Sequence, residues 1–422
     1  MPHASGFSHR PSAASTASEL VGDGIPLAPI ADAVGTPLYV YSAALLRERF
    51  RALDEAFGGY SHAIHYALKA NSTLGLVRVL RSLGSAVDAN SIWEIEVARA
   101  AGFEPRHIVF TGVGKSPAEL ECAVSLDLKA INVESAGELS RVDAIARRLG
   151  RRARVAIRVN PDIDAQSHPH ISTGLKINKF GVPIDEARTL AAWLADREAL
   201  QLVAVHVHVG SQVTSLDPLR RAAGVAADFS QSLVAVGAAL EYVDLGGGLG
   251  VSYDGGVVPS AREYVEALVG TVRHTGLSIV LEPGRSLIAP TGVLLARVID
   301  IKLRDAASEF VILDAGMTEL MRPALYGAYH GIERVESSDN PARRYELVGP
   351  VCESSDVVGR DRELSQLSVG DLVAIRDVGA YGSAMASNYN RRPMPAEVLI
   401  DDGRWTVIRR RQTVQDLLAL ES

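Results

Sequence analysis

Eight short apolar runs, nearly all followed by a segment with helical periodicity, occupy the chain between residues 62 and 282. The runs are rich in β-branched residues and have the length of strands. They are His62–Leu68, Ser85–Ala89, His107–Thr111, Ala130–Glu134, Val155–Asn160, Leu202–Val209, Tyr242–Leu245 and Ser278–Glu282. Eight successive β-α units over about 230 residues predict a (β/α)8 barrel of the TIM type. An open doubly wound sheet is the alternative, but its glycine-rich turn follows the first strand, whereas here one follows the seventh.

The rhythm changes after residue 295, where strand-like runs are separated by Gly, Pro and Asp turns. These runs include Phe310–Leu313, Tyr345–Val348 and Leu372–Asp377. They predict a smaller, mostly β domain over residues 296–422, after a barrel over residues 45–295. The early run Pro37–Tyr41 has no barrel partner, so we expect residues 27–44 to add a strand to the β domain.

Composition narrows the class of protein further. The 43 basic and 50 acidic residues give a net charge of −7 without a basic stripe, so nucleic acid is not an expected partner. Two cysteines cannot form a disulfide framework in 422 residues, which favours a reducing, cytoplasmic compartment. No apolar run reaches the roughly 18 residues of a membrane span. Residues 1–26 are rich in Ser, Ala, His and Pro and are predicted to be a disordered tail.

Charged and polar residues stand at the ends of the predicted strands. In a barrel of this kind the active site is built where the carboxyl ends of the strands meet. The residues at these positions are Lys69, Asp88, Glu134, Arg158, Asn160, His206, His208, Ser211, Asp244, Glu282 and Arg285. Because a packed core does not need such groups, we interpret them as one shared site.

Lys69 and the glycine-rich turn Gly246–Gly250 together indicate a cofactor. Lys69 is one of only six lysines, and alone it could simply leave the barrel mouth for solvent. A lysine amine in a partly desolvated pocket has a lowered pKa and can form a Schiff base with an aldehyde. A glycine turn lets backbone N–H groups approach a phosphate closely. Pyridoxal phosphate carries both an aldehyde and a phosphate, so it is the predicted cofactor.

Glu282 and the histidines of strand six fit the same cofactor. A carboxylate beside the pyridine nitrogen keeps that nitrogen protonated and makes the ring an electron sink. His206 and His208 are two residues apart, so they project to the same side of the strand. They could be a hydrogen-bonded core pair or part of a zinc site, although two histidines are too few for zinc. A third possibility is that His208, nearer the strand end, stacks on the cofactor.

At these residues the chain resembles the fold-type III pyridoxal-phosphate decarboxylases, which share an alanine racemase-like barrel and a second β domain. The resemblance extends from about residue 30 to residue 418 and is carried by many separate motifs in order. These are Tyr66–Asn71, His168–Lys176, Lys179–Gly181, His206–Ser211, Gly246–Gly250, Glu282–Arg285, Met321–His330, Gly349–Ser354, Gly379–Gly382 and Met385–Asn390.

The resemblance implies a role for individual residues. Lys69 would bind the cofactor covalently, His208 would stack on its ring, and Glu282 would pair with the pyridine nitrogen. The other cofactor-binding residues would be Asp88, Ser211, Gly246, Gly247, Gly248, Gly284, Arg285 and Tyr381. Substrate contacts would come from Arg285, Arg322, Tyr326, Glu353 and Tyr381. Cys352 would donate the proton to the carbanion after carbon dioxide leaves, and no metal is expected.

The resemblance also implies a substrate and an assembly. Arg322 and the Cys352-Glu353 pair favour meso-diaminopimelate, because relatives that act on ornithine or arginine carry Asp after this Cys. A homodimer is expected in which Cys352 and Glu353 serve the partner's site, with a mobile loop around Lys176 and Lys179 nearby. A decarboxylase of basic amino acids or polyamine precursors such as carboxynorspermidine stays open, as do a non-catalytic pyridoxal-phosphate carrier and a metal-dependent barrel hydrolase.

Overall fold

The computed structural model describes residues 6–11, 18–164, 174–175, 177–304 and 308–421. Its strands in chain order are β1 Phe7–Pro11, β2 Ser18–Gly22, β3 Ile25–Pro26, β4 Leu38–Ser42, β5 His62–Ala67, β6 Ala86–Ala89, β7 Ile108–Phe110, β8 Ala130–Val133, β9 Ala153–Val159, β10 Leu200–Val207, β11 Tyr242–Asp244, β12 Ser278–Leu281, β13 Gly292–Leu303, β14 Ser308–Leu313, β15 Ile332–Arg334, β16 Ala342–Val348, β17 Val357–Ser365, β18 Leu372–Ile375, β19 Ala396–Asp401 and β20 Arg404–Arg409. Its α-helices are α1 Leu27–Val34, α2 Ala43–Glu55, α3 Leu74–Ser82, α4 Ile92–Ala100, α5 Pro117–Leu126, α6 Ala136–Arg148, α7 Ile184–Ala195, α8 Leu216–Ala235, α9 Ala261–Val272, α10 Arg285–Ile288, α11 Arg322–Tyr326 and α12 Val414–Leu418.

The chain divides into two compact units, which we call the barrel unit and the β unit. The barrel unit comprises Arg49–Val251 and Val257–Ser286. The β unit comprises the described residues within Met1–Glu48, Ser252–Gly256 and Leu287–Ser422. None of the helices within the described ranges is both long and apolar enough to cross a membrane.

The barrel unit is a closed parallel barrel of β5 to β12, in which β9 pairs with β10 to complete the circle. All eight predicted strands are confirmed, each within two residues of the predicted bounds. The interior is apolar, with Val109, Ala156 and Val203 completely buried in one cluster. Because the strands are parallel, their carboxyl ends lie at one end of the barrel, where the predicted site residues come together.

Serine caps begin five of the barrel helices and explain why these start where they do. Ser116 and Ser260 each form a capping box with the glutamate three residues later. Ser91 accepts from the backbone N–H of Glu94 in the same way, but the Glu94 side chain turns to another partner. That departure brings Glu94 into the candidate site described below.

The β unit is built on a large mixed sheet in the order β17-β16-β14-β13-β4-β19-β20, with β18 paired to β13 and β15. The early strand β4 lies between β13, its antiparallel neighbour, and β19, its parallel neighbour. This early strand is therefore part of the sheet of the β unit. The β unit resumes at Leu287 rather than at residue 296, because β13 already pairs with β4 from Gly292 onward.

The prediction of a disordered tail over residues 1–26 is wrong for the described residues of that segment. β1, β2 and β3 form a three-stranded antiparallel sheet. Leu20 is completely buried in the β unit's core, and its N–H donates to the Val335 carbonyl at 2.7 Å. Phe7 and Ile25 pack against the same core. Average composition misled the prediction, because a few well-placed apolar residues suffice to order a short sheet on an existing core.

Candidate active site

Lys69 lies immediately after β5, in a single 3₁₀ turn over Leu68–Ala70 at the carboxyl end of the barrel. Its Nζ is 3.5 Å from Oδ2 of Asp88, the last residue but one of the neighbouring strand β6, which is completely buried. Asn90 donates from Nδ2 to the same oxygen at 3.1 Å. Burial raises the pKa of Asp88 and nearby Glu282 adds to this, while the Lys69 charge acts in the opposite direction. The pair therefore places an amine beside a carboxyl group that can hold or return a proton.

Glu282 follows β12 and is buried at the same end of the barrel. His206 Nε2 lies 3.2 Å from its Oε2, whereas Oε1 has no hydrogen-bond partner among the described residues. Burial by itself would raise the pKa of Glu282, but the adjoining His206 and Lys69 hold it well below its usual range. An ionised carboxylate with one buried oxygen available is suited to a cationic N–H donor.

Asp244 ends β11 and is the second buried acid of this cluster. Its Oδ1 accepts from the Gly246 N–H at 2.9 Å. Burial, followed by repulsion from Glu282, raises the pKa of Asp244 far above its usual value. The pKa values of the two adjacent carboxyl groups are thus driven in opposite directions, which favours a proton on Asp244 and a negative charge on Glu282. Although ligand atoms of His206, Asp244 and Glu282 lie within 4.8 Å of one another, a metal ion there would require both acids ionised.

His208 stands beyond the end of β10 and is partly exposed. Its Nδ1 accepts from the N–H of Gly247 at 3.2 Å, so this nitrogen carries no proton. Burial lowers the pKa of His208 well below its usual value, and the charges of Lys69 and Arg158 lower it further. A neutral, flat imidazole is what stacking on an aromatic ring requires.

The turn Gly246–Gly248 can be formed only by glycine. A Cβ on Gly246 would lie 2.6 Å from the Val207 carbonyl oxygen, and one on Gly247 would lie 2.3 Å from the Glu282 carbonyl oxygen. Gly246 and Gly248 also have positive φ angles of 64° and 118°. The N–H groups of Gly246 and Gly247 already donate to Asp244 and His208. These two glycines therefore let the turn pack against the ends of β10 and β12, and their amides are already used within the protein.

Ser211, after β10, and the segment Gly284–Arg285, after β12, are joined by a hydrogen bond. Arg285 donates from Nε to Ser211 Oγ at 3.1 Å, which ties the loop after β10 to the start of α10. A Cβ on Gly284 would come within 3.0 Å of the Ala70 Cβ, next to Lys69. Gly284 and Arg285 thus connect the loop that carries Ser211 to the turn that carries Lys69.

Sequence reasoning missed Glu94, which lies in the first turn of α4. One of its carboxylate oxygens accepts from the Asn90 N–H at 2.6 Å. Burial and the neighbouring Asp88 raise the pKa of Glu94 to about 7. The signal that could have identified it is Ser91-x-x-Glu94, a capping pattern placed directly after a strand that carries a site residue.

Of the remaining predicted residues, Arg322, Tyr326, Cys352, Glu353 and Tyr381 belong to the β unit. Lys176, in the loop predicted to be mobile, lies outside the described residues. Arg322 begins α11 and is buried; its NH1 lies 2.7 Å from His330 Nε2, and its guanidinium lies 4.5 Å from the centre of the Tyr253 ring. Tyr326 ends the same helix, and Tyr381 adopts a positive φ of 56° between β18 and β19.

Cys352 and Glu353 lie exposed in the loop between β16 and β17. The Tyr389 hydroxyl donates to Glu353 Oε1 at 3.2 Å. Adjacent residues of a regular strand would project to opposite faces. The loop removes that restriction, so both side chains can serve one site.

Comparisons with known proteins find similarity to pyridoxal-dependent decarboxylases. Residues 43–289 match the family model described as the pyridoxal binding domain of pyridoxal-dependent decarboxylases. A relative from Pseudomonas aeruginosa named diaminopimelate decarboxylase is 45% identical over 405 residues, covering 96% of this chain and 97% of that protein. A relative of the same name from Vibrio cholerae is 44% identical over 405 residues, covering 96% and 97%.

Solved structures agree with these relatives. Diaminopimelate decarboxylase from Helicobacter pylori, complexed with L-lysine, superposes with a TM-score of 0.91 at 42% identity and covers 94% of this chain and 99% of that one. Lysine/ornithine decarboxylase from Vibrio vulnificus, complexed with putrescine, gives a TM-score of 0.78 at 23% identity over 89% of this chain and 97% of that one, a likeness of fold alone.

Proposed function

Because this chain belongs to the pyridoxal-dependent decarboxylases, and among them to the diaminopimelate decarboxylases, we propose how its own residues carry out the decarboxylation of diaminopimelate. The reaction converts meso-2,6-diaminopimelate into L-lysine and carbon dioxide in lysine biosynthesis, with pyridoxal 5'-phosphate as cofactor. The observation that carries the proposal is the barrel end itself, where Lys69 and the ionised Glu282 lie beside a turn that only glycine can form.

The residues of the barrel end fit this cofactor. Glu282 has a buried oxygen with no described partner, suited to a protonated pyridine nitrogen. The Gly246–Gly248 turn, which only glycine can form, packs closely against the strand ends, and we assign it to the phosphate as the resemblance implies. When bound, the cofactor supplies an electron sink for the pair of electrons left on the substrate's α-carbon. Lys69, His208 and Glu282 would hold the cofactor's ring end.

Each of these residues has a distinct task. Lys69 anchors the cofactor through its amine, and Asp88, 3.5 Å away, holds a proton for that amine when it is released. Glu282 keeps a proton on the ring nitrogen, and His206 fixes the orientation of its carboxylate. His208, as a neutral imidazole, would stack on the cofactor's ring and would exclude water there. Ser211, Gly248 and Gly284 lie in the loops assigned to the phosphate, and Tyr381 keeps the phosphate-binding role implied by the resemblance.

The substrate is held by groups of matching charge. Arg285 and Arg322 bind its carboxylates with Tyr326, and Glu353 binds the distal ammonium. Cys352 delivers the proton that replaces carbon dioxide. We include a homodimer in the proposal, since Cys352 and Glu353 lie exposed on a loop from which they can reach a second subunit. A cytoplasmic location is also proposed, supported by the two cysteines being free thiols.

The function is tested by measuring carbon dioxide release from purified, cofactor-loaded protein. Meso-diaminopimelate is compared with ornithine, arginine and lysine, and the amino acid product is identified. Release from diaminopimelate alone, with lysine as product, supports the proposal. Release from ornithine or arginine instead would contradict the roles given to Arg322 and Glu353.

Mixing a Lys69→Ala subunit with a Cys352→Ala subunit should restore activity if sites are shared across a dimer, and no recovery would contradict that sharing.

Arg322→Ala is expected to weaken the use of diaminopimelate far more than the binding of cofactor. The lost charge-assisted hydrogen bonds to a carboxylate are worth about 2–3 kcal/mol, or a fall of about 30- to 150-fold in kcat/KM. The measurement is kcat/KM beside a cofactor titration. An equal loss of cofactor affinity would make Arg322 a structural residue instead.

Cys352→Ala is expected to leave cofactor binding intact and to lower turnover by about 10²- to 10⁴-fold, the usual contribution of a positioned proton donor. Cys122→Ala is the matched control, because that thiol lies half-buried in α5 and has no assigned role. Turnover is measured as lysine formation under saturating substrate. Unchanged turnover in Cys352→Ala would move the proton donor to another group.

A further inference from the structure

Within the β unit, His330 contacts the Arg322 guanidinium. The Arg322 NH1 and His330 Nε2 are 2.7 Å apart, and His330 Nδ1 lies 2.7 Å from the backbone carbonyl oxygen of Arg376. His330 is completely buried, and Arg322 is only 6% exposed. Neither the sequence motifs nor the proposed mechanism assigns His330 a role.

The two contacts determine which nitrogen of His330 carries a proton. A carbonyl oxygen can only accept, so Nδ1 must carry a hydrogen and donate it to Arg376. A guanidinium can only donate, so Nε2 must offer its lone pair to Arg322. His330 is therefore a neutral imidazole of a single tautomer, wedged between a backbone acceptor and a cation. The Arg376 N–H in turn donates to the Gly331 carbonyl at 2.8 Å, which ties the residue after β18 to the residue before β15.

A neutral acceptor has a different consequence from a carboxylate. A carboxylate in this place would fix the guanidinium but also cancel its charge. The imidazole of His330 fixes it and leaves the charge in place. Tyr253 adds to the restraint without adding charge, since its ring lies 4.5 Å below the guanidinium and 5.2 Å from the His330 ring in an edge-on arrangement. Two uncharged rings, those of His330 and Tyr253, thus contact the Arg322 guanidinium.

We propose that His330 is a positioning residue that sets the preference for a substrate with a distal carboxylate, by orienting the Arg322 guanidinium while preserving its charge. This inference rests on the proposed function of Arg322. It predicts that the His330 acceptor affects the binding of diaminopimelate and not the chemistry of decarboxylation, because Arg322 grips the end of the substrate that does not react.

Two substitutions separate the two hydrogen bonds of His330, the one that it accepts from Arg322 and the one that it donates to the Arg376 carbonyl. His330→Gln can present an amide oxygen close to the position of Nε2, which keeps the acceptor for Arg322 but loses the donor to Arg376. His330→Asn can present an amide N–H close to the position of Nδ1, which keeps the anchor but loses the acceptor. We expect His330→Asn to raise KM for diaminopimelate by about tenfold or more with kcat changed less than about threefold, and His330→Gln to stay within about threefold of the native KM.

A purely structural role for His330 gives the opposite order, with His330→Asn near native and His330→Gln impaired, and that order would overturn the proposal. Cofactor absorbance and thermal unfolding are recorded for both variants. If His330→Asn does not fold, the His330→Gln variant decides alone, since a tenfold rise in its KM contradicts the proposal. Arg322→Ala is measured in parallel: an unchanged KM there is a failure of the proposed function of Arg322, whereas a raised KM there with native-like KM in His330→Asn is a failure of this inference only.

Discussion

Lys69→Ala is expected to abolish the absorbance of lysine-bound cofactor and to lower decarboxylation by about a thousandfold or more. The variant loses the amine that lies 3.5 Å from Asp88, while the buried carboxyl groups around it keep their positions. Alanine offers no nucleophile, so the cofactor can bind only through weaker contacts. The measurements are the absorbance spectrum after cofactor loading and the rate of carbon dioxide release.

Lys302→Ala provides the matched control for this lysine. Lys302 is exposed near the end of β13, in the β unit, and touches none of the proposed machinery. It should leave spectrum and rate unchanged. If the Lys69→Ala protein kept the spectrum of the native enzyme, another amine would have to be the point of attachment, and the assignment of Lys69 would be wrong.

Glu282→Gln is expected to lower kcat by about 10²- to 10³-fold. The amide keeps the shape of the side chain but removes the negative charge that His206 and Lys69 stabilise. Without that charge, nothing at this position holds a proton on the ring nitrogen, and the electron sink is weakened. Turnover is measured under saturating substrate and cofactor, so that reduced cofactor affinity does not enter.

Asp244→Asn tests the same argument from the other side. Asp244 is as buried as Glu282 and is expected to be protonated already, so a neutral amide resembles its native state. Its amide oxygen can still accept from the Gly246 N–H. We expect less than about a tenfold loss of kcat. A severe loss in Asp244→Asn with a mild loss in Glu282→Gln would reverse the assignment of charge in the cluster.

The barrel was predictable because each of its strands is a local apolar run and because parallel strands put their ends together. Lys69, Asp88 and Glu282 are distant in sequence. Because the carboxyl ends of parallel barrel strands meet at one end of the barrel, the sequence alone predicts that they share one site. The strand Leu38–Ser42 was predictable by the same logic, since it had no place in the barrel.

The features that sequence reasoning missed depend on partners rather than on periodicity. Nothing in the pattern around Glu94 tells that its carboxylate leaves the usual capping position for Asn90. Nothing around His330 tells that one nitrogen faces a carbonyl and the other a guanidinium. The N-terminal sheet was missed because Leu20 finds its buried place on residues more than 300 positions away, such as Val335.

The position of β4 has a consequence for how the chain is made. β4 pairs with β13, with Tyr41 opposite Gly292, so that the whole barrel segment is an insertion between two neighbouring strands. During synthesis β4 leaves the ribosome about 250 residues before the strand that covers it, and closing so long a loop costs entropy until the barrel has folded. The barrel is then the natural first step of folding, and a chain interrupted after Ser286 would expose β4 as an unpaired apolar edge, a template for aggregation.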